Sequence, residues 1–138
     1  MWRGGARALA LVAAVMLGGC QSEPVQEFPL TKFKAESMLD SGIREYDNGN
    51  YKLAARTIQG ALDAGLTTRS QARAHKYLAF MHCINGQQAQ CRDEFRRALE
   101  KDPRLELKPE EAGHPLWSPV FKSVKSGMPK YRLPVWAR

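Results

Sequence analysis

The chain has 138 residues, 43% of them hydrophobic and 25% charged, with a formal net charge of +7. That length supports one small domain with a modest core and excludes two. Its basic residues are scattered, without the basic cluster and interleaved aromatics that nucleic-acid binding demands, so no nucleic-acid partner is expected.

The first twenty residues, "MWRGGARALALVAAVMLGGC", place Arg3 and Arg7 before an apolar run from Ala8 to Leu17 that ends in small residues. This is the pattern of a secretion signal, and the run is about half the ~20 apolar residues a spanning helix needs. The stretch "LGGC" resembles the lipobox of bacterial lipoproteins. That resemblance implies removal of residues 1–19 and a palmitate-bearing, acylated Cys20 as the new N-terminus. Gln21 stands where the family's sorting rule would read aspartate as inner-membrane retention. The resemblance therefore implies an outer-membrane anchor facing the periplasm. Without Arg3 and Arg7, nineteen basic residues remain against fourteen acidic ones.

Residues 20–34 contain two prolines and no periodicity, and are expected to be the lipidated cysteine and a flexible tether, with folding starting near Thr31 as a possible N-cap. Beyond them, Leu39, Gly42, Ile43 and Tyr46 fall on one helical face. After the break "DNGN", Leu53, Ala54, Thr57, Ile58, Ala61 and Leu62 do the same. A second pair of helices is expected from Ser70, a possible N-cap, through "QARAHKYLAFMHCI", the break "NGQQ", and "AQCRDEFRRALEKDP", where Pro103 ends the run. The two hairpins superpose at a constant offset of 37 residues: Gly42 on Ala79, Tyr46 on Cys83, Gly49 on Gly86, Ala54 on Cys91, Ile58 on Phe95, Ala61 on Ala98 and Leu62 on Leu99.

This repetition over residues 35–105 resembles the tetratricopeptide repeat, whose unit is 34 residues long. The second unit keeps Leu78, Ala79, Phe95, Ala98 and Pro103. The first keeps Gly42, Gly49, Tyr51, Ala54, Ala61 and Leu62, but ends in "AGLTTRSQ" instead of Asp-Pro. His75 replaces the usual tryptophan, His82 a tyrosine, and Cys91 a small alanine. The fold expected is all-α, with two tetratricopeptide-like hairpins and a C-terminal cap. By the same resemblance, the first helices of the two units would line a groove formed by Leu39, Ile43, Tyr46, Arg73, Lys76 and Phe80. Such a groove would be apolar with a basic rim, suited to an acidic peptide. The alternative is that the protein's own C-terminal segment closes it.

Residues 106–127 supply the cap expected at the end of a repeat stack: Trp117, Val120, Phe121 and Val124 form an i, i+3, i+4, i+7 stripe. Ser118 could cap that helix, with Pro119 first in it and Gly127 ending it. Trp117 and Phe121 could instead belong to a partner-binding face. Glu110 and Glu111, directly after Pro109, suit the first turn of a short helix. Residues 128–138 read as a basic, aromatic tail.

The segment "HCINGQQAQC" holds Cys83 and Cys91, an even pair once Cys20 is set aside. In an oxidising compartment this favours a disulfide across the interhelical turn. Zinc is not expected from His82, Cys83 and Cys91, because adjacent helical residues point apart and a fourth ligand is missing. No cofactor and no catalysis are expected: G-x-S-x-G, H-E-x-x-H and a phosphate-binding glycine loop are absent, and His75 and His82 occupy packing positions. His114 precedes Pro115 in a turn with no evident partner.

The lipobox, the two repeats and "LELKPEEAGHPLWSPVF" together are similar to small lipoproteins of type VI secretion clusters. That similarity implies an interaction scaffold for periplasmic or envelope proteins, accessory to the secretion machine. A structural partner or activator of a peptidoglycan-processing enzyme is the other reading these residues leave open.

Overall fold

The protein is described by a computed structural model covering residues 29–129, and it is all-α over that range, as expected. Helices α1 (Pro29–Asp47) and α2 (Tyr51–Ala64) form one hairpin. Helices α3 (Thr68–Ile84) and α4 (Gln88–Lys101) form a second. The short α5 (Pro109–Ala112) and then α6 (Ser118–Gly127) complete the described chain. Helix α3 lies against both helices of the first hairpin, and α6 packs on α4.

The 37-residue repetition extends to individual backbone hydrogen bonds. In the first turn Asn48 N–H donates to Arg44 O, Gly49 to Tyr46 O, Asn50 to Glu45 O, and Ala54 to Asn50 O. In the second, Asn85 donates to Met81 O, Gly86 to Cys83 O, Gln87 to His82 O, and Cys91 to Gln87 O. Every partner is displaced by the same 37 positions. Gly49 and Gly86 make this turn possible, because their φ angles of 80° and 72° lie in the left-handed region that a side chain disfavours.

Close approach within the first hairpin depends on Gly42. A Cβ there would stand 2.5 Å from Ile58 Cγ1 and 3.2 Å from Ile58 N, and Ile58 is fully buried. Around this contact α1 buries Ala35, Leu39 and Ile43, and α2 buries Ala54, Ile58 and Ala61. The core continues through Phe80 and Phe95, whose ring centroids are 5.9 Å apart, to Phe121 of α6, 5.3 Å from Phe95. Val120 and Val124 are partly buried beside it, so the expected apolar stripe covers α4. Burial of three large side chains of this size contributes roughly 2–3 kcal/mol each before the entropy of ordering them.

Several element boundaries differ from expectation for local reasons. Helix α1 starts at Pro29, inside the stretch read as tether, since a first-turn proline loses no intrahelical hydrogen bond. Helix α3 is capped by Thr67, not Ser70: the Thr67 hydroxyl accepts the Ser70 N–H at 3.3 Å. Ser118 is the first residue of α6 and Trp117 its N-cap, so Pro119 sits second, while Ser118 Oγ donates backward to Ala112 O. Cys20, the signal and residues 130–138 lie outside the described residues.

A carboxylate ties the two hairpins together. Glu36 of α1 accepts hydrogen bonds from Thr67 N, Thr67 Oγ1 and Ser70 Oγ at the start of α3. Partial burial pushes its pKa up, but the hydrogen bonds from Ser70 and Thr67, with the Arg73 charge, outweigh it and hold the carboxyl below its ordinary value.

Gly42→Ala should therefore destabilise the protein, because overpacking against Ile58 costs about 1–3 kcal/mol, against the ~1 kcal/mol that alanine gains in helix propensity. Gly60→Ala, whose Cβ would meet only the flexible end of Met38, should be neutral or stabilising by up to ~1 kcal/mol. Urea unfolding of the two variants measures both signs. Because Glu36 has a depressed folded-state pKa, its contribution is complete above the unfolded value and is lost as pH falls through the folded one. Glu36→Gln should accordingly lower the melting temperature at pH 6. The gap from wild type should narrow as pH falls below about 4, whereas a gap constant with pH would remove Glu36 from the linkage.

Candidate functional site

The six residues expected to line a groove separate into two groups. Leu39, Ile43 and Phe80 are buried in the core, because the α1 surface that carries Leu39 and Ile43 packs inward. Lys76 is buried as well. Only Tyr46, half-buried, and Arg73, exposed and 3.1 Å from Asp40, remain accessible. Leu39 and Ile43 thus belong to the core, while Lys76 and Phe80 are covered by this chain's own residues, the alternative the sequence leaves open.

The covering residues are those between α4 and α6. Lys76 Nζ donates to both carboxylate oxygens of Glu111 at 2.7 and 2.8 Å, with side-chain exposures of only 5% and 10%. A charge carried into this position needs such a partner, since an isolated buried ion costs several kcal/mol. Burial pulls the Lys76 pKa below its ordinary value, with Glu111 acting in the opposite direction. The Lys76 ammonium also lies 5.1 Å from the Tyr77 ring centroid and 5.6 Å from that of Phe80, an arrangement in which ring quadrupoles favour a cation.

Aromatic rings frame this ion pair. Trp117 stacks on Phe80 at 4.5 Å, and its Nε1 donates to Glu111 O at 2.9 Å. Tyr46 meets Tyr77 edge-on at 5.1 Å and lies 5.4 Å from Tyr51. Burial raises the pKa of Tyr46 and of Tyr77, and the negative charge of Glu111 adds to the effect, so both phenols stay neutral. His114, for which the sequence offered no partner, lies flat on Trp117 and accepts the Leu116 N–H through Nδ1 at 3.2 Å.

Glu111 serves a second purpose. Its carboxylate accepts the Lys108 N–H at 2.9 Å, closing the start of α5, which is the helix-terminus role expected of it. Its pairing with Lys76 is not legible locally, because the partners are 35 residues apart in sequence. The one available signal is a lysine within the run 76–81, where every other position is apolar.

The remaining expected residues are fixed by structural contacts. His75 Nδ1 is 2.6 Å from Glu94 Oε2, and Glu94 also accepts from Arg97. His82 Nδ1 is 2.6 Å from Gln87 Oε1 across the second turn. Among the described residues, no group of three or more His, Cys, Asp or Glu side chains is placed to hold a metal ion. Cys83 and Cys91 are joined by a disulfide, with Cα atoms 5.2 Å apart, well within the range such a bond accepts. The tight turn at Gly86, whose φ of 72° is left-handed, brings the two helices together at this point. A second concavity, an open cleft of about 350 Å³ beside α6, is floored by Leu107 and Phe121. Its Lys125 is already bonded to Leu105 O and to the Glu106 carboxylate.

Over the described residues the protein is therefore all-α, two helical hairpins in which Lys76 and Phe80 of α3 are covered by Glu111 and Trp117 of its own C-terminal segment. No family model, curated protein or solved structure matches the chain.

The disulfide leads to a direct expectation. Alkylation of the unfolded, unreduced oxidised chain should leave Cys83 and Cys91 unmodified, and reduction should expose both thiols. Reduction should also lower the unfolding free energy by about 2–3 kcal/mol, the loop-closure value for a ring this short. Two free thiols before reduction would contradict the pairing.

Proposed function

We propose that this chain is a lipid-anchored envelope lipoprotein that acts as a protein-interaction scaffold. Cys20 carries the anchor, the outer membrane facing the periplasm is its place, and the α1–α3 side is its working surface. The observation that carries the interaction reading is the covered inter-hairpin face. It combines a basic buried group, a set of aromatic rings and an exposed charged rim at Asp40 and Arg73, the composition of a peptide-recognition surface. The disulfide supports export, because such bonds persist in oxidising compartments. Among the described residues no helix is long and apolar enough to cross a membrane, which is compatible with attachment through an acylated cysteine.

The narrower form of the proposal is an accessory role in a type VI secretion machine, resting on the likeness of "LELKPEEAGHPLWSPVF" to lipoproteins of those clusters. In that setting the protein positions components by binding and performs no chemistry of its own.

Affinity purification of the full-length chain from crosslinked cells tests the proposal. An envelope protein should be recovered with wild type, its yield should fall at least tenfold with Arg73→Glu, and Cys20→Ser should release the chain from the membrane fraction. Recovery of no envelope or membrane partner would overturn the scaffold reading. A recovered secretion component supports the narrower form, and a peptidoglycan enzyme replaces it.

A further inference from the structure

The stretch from Lys108 to Trp117 is held to the hairpins in an unusual way for a connecting segment. Between Lys108 and Leu116 the only buried side chain is Glu111, with His114 half-buried and the others exposed. The next buried residue is Trp117. Two anchors, six residues apart, thus fasten the segment: a carboxylate on Lys76 and an indole on Phe80. Helix α5, which carries the first anchor, is only four residues long, too short to be stable without those contacts. A bound peptide has the same anatomy, with a few desolvated anchors carrying the affinity and exposed residues between them.

The receiving surface, by contrast, belongs to the folded hairpins. Phe80 is held by contacts with Tyr46, Tyr77 and Phe95, and Lys76 sits in the middle of α3 beside Tyr77. Detaching the segment would leave a ready-made bed with a cation needing a counter-charge and an aromatic face needing a ring.

We propose that this bed is the docking site for a partner peptide presenting a carboxylate and, about six residues further on, an aromatic side chain, and that Glu111 and Trp117 occupy it when no partner is present. The inference rests on the scaffold reading above and names its ligand chemistry. The segment's high effective concentration makes it a strong competitor, so a partner gains access only by matching both anchors or by binding the exposed rim as well.

The test uses full-length wild type, the full-length Trp117→Ala variant and a synthetic peptide, KPEEAGHPLWSPVF, spanning residues 108–121. The peptide should bind Trp117→Ala at least tenfold more tightly than wild type, whose own segment competes. The same peptide carrying Glu111→Gln or Trp117→Ala should lose at least tenfold in affinity. Failure of the unmodified peptide to bind a folded Trp117→Ala protein, or equal binding of all three peptides, would overturn the proposal. So would concentration-dependent dimers with exchanged segments, which would make the occupant a second copy. Hydrogen exchange on wild type covers the case in which the variant does not fold. The Glu111, Ala112 and Ser118 amides, bonded to Lys108 and His114 carbonyls, should exchange at least tenfold faster than those of α3, and equal protection would overturn the inference. Peptide binding without any envelope partner in the crosslinked cells would retire the scaffold reading and leave the bed. An envelope partner without peptide binding would retire the bed alone.

Discussion

The position of Lys76 constrains the arrangement around it. It lies in α3 amid Tyr77, Leu78, Ala79, Phe80 and Met81, all buried, so its ammonium is carried to a place where water cannot solvate it fully. A charge there requires an opposite charge, and Glu111 provides it from 35 residues further along the chain. Once Glu111 is in place, the short α5 is set by the bond from Lys108 N, Trp117 is brought over Phe80 by its own bond to Glu111 O, and α6 starts in position to cover Phe95 with Phe121. The course of the chain from Lys108 to the start of α6 follows from one buried cation.

The hairpins beneath are governed by a different constraint, the repeated turn. Two glycines 37 residues apart adopt the same left-handed conformation and close the same set of hydrogen bonds. The positions flanking each turn are equivalent, yet they hold different chemistry. Where the first hairpin places Tyr46 and Ala54, the second places Cys83 and Cys91. The first hairpin is kept close by Gly42 against Ile58, and the second by a covalent bond. One backbone solution is thus secured by two unrelated means, and each suits the side chains present.

Much of this was legible in the residues. Helix periodicity, the two "NG" breaks and the constant offset place the hairpins, and the stripe from Trp117 to Val124 places the capping helix. The starts of α1, α3 and α6 fall a few positions from those the sequence suggests, because proline is tolerated in a first turn and because Thr67 competes with Ser70 as a cap. What the residues leave undecided is the face between the hairpins. Periodicity identifies Leu39, Ile43 and Phe80 as one-sided, but it cannot say whether that side meets solvent, a partner or the same chain. Nor does any local pattern connect Lys76 with Glu111, since a long-range ion pair leaves no period in the sequence. Glu36, which joins α1 to the start of α3, carries no local signal for the same reason.

The functional reading follows from the two side chains, Glu111 and Trp117, that cover Lys76 and Phe80. A segment with two buried anchors and exposed residues between them resembles a ligand more than a layer of core, and it lies on the surface that the proposed scaffold would use. Its attachment depends on charge at one end and on ring stacking at the other, both of which another peptide could supply. The most direct test of this account is the distance between spin labels placed at the exposed positions Arg69 and Glu110 in the full-length protein. Wild type should give one narrow, short distance, and Glu111→Gln should move a substantial share of molecules to longer distances. An unchanged narrow distribution in Glu111→Gln would contradict the claim that the Lys76 charge holds the C-terminal segment in place.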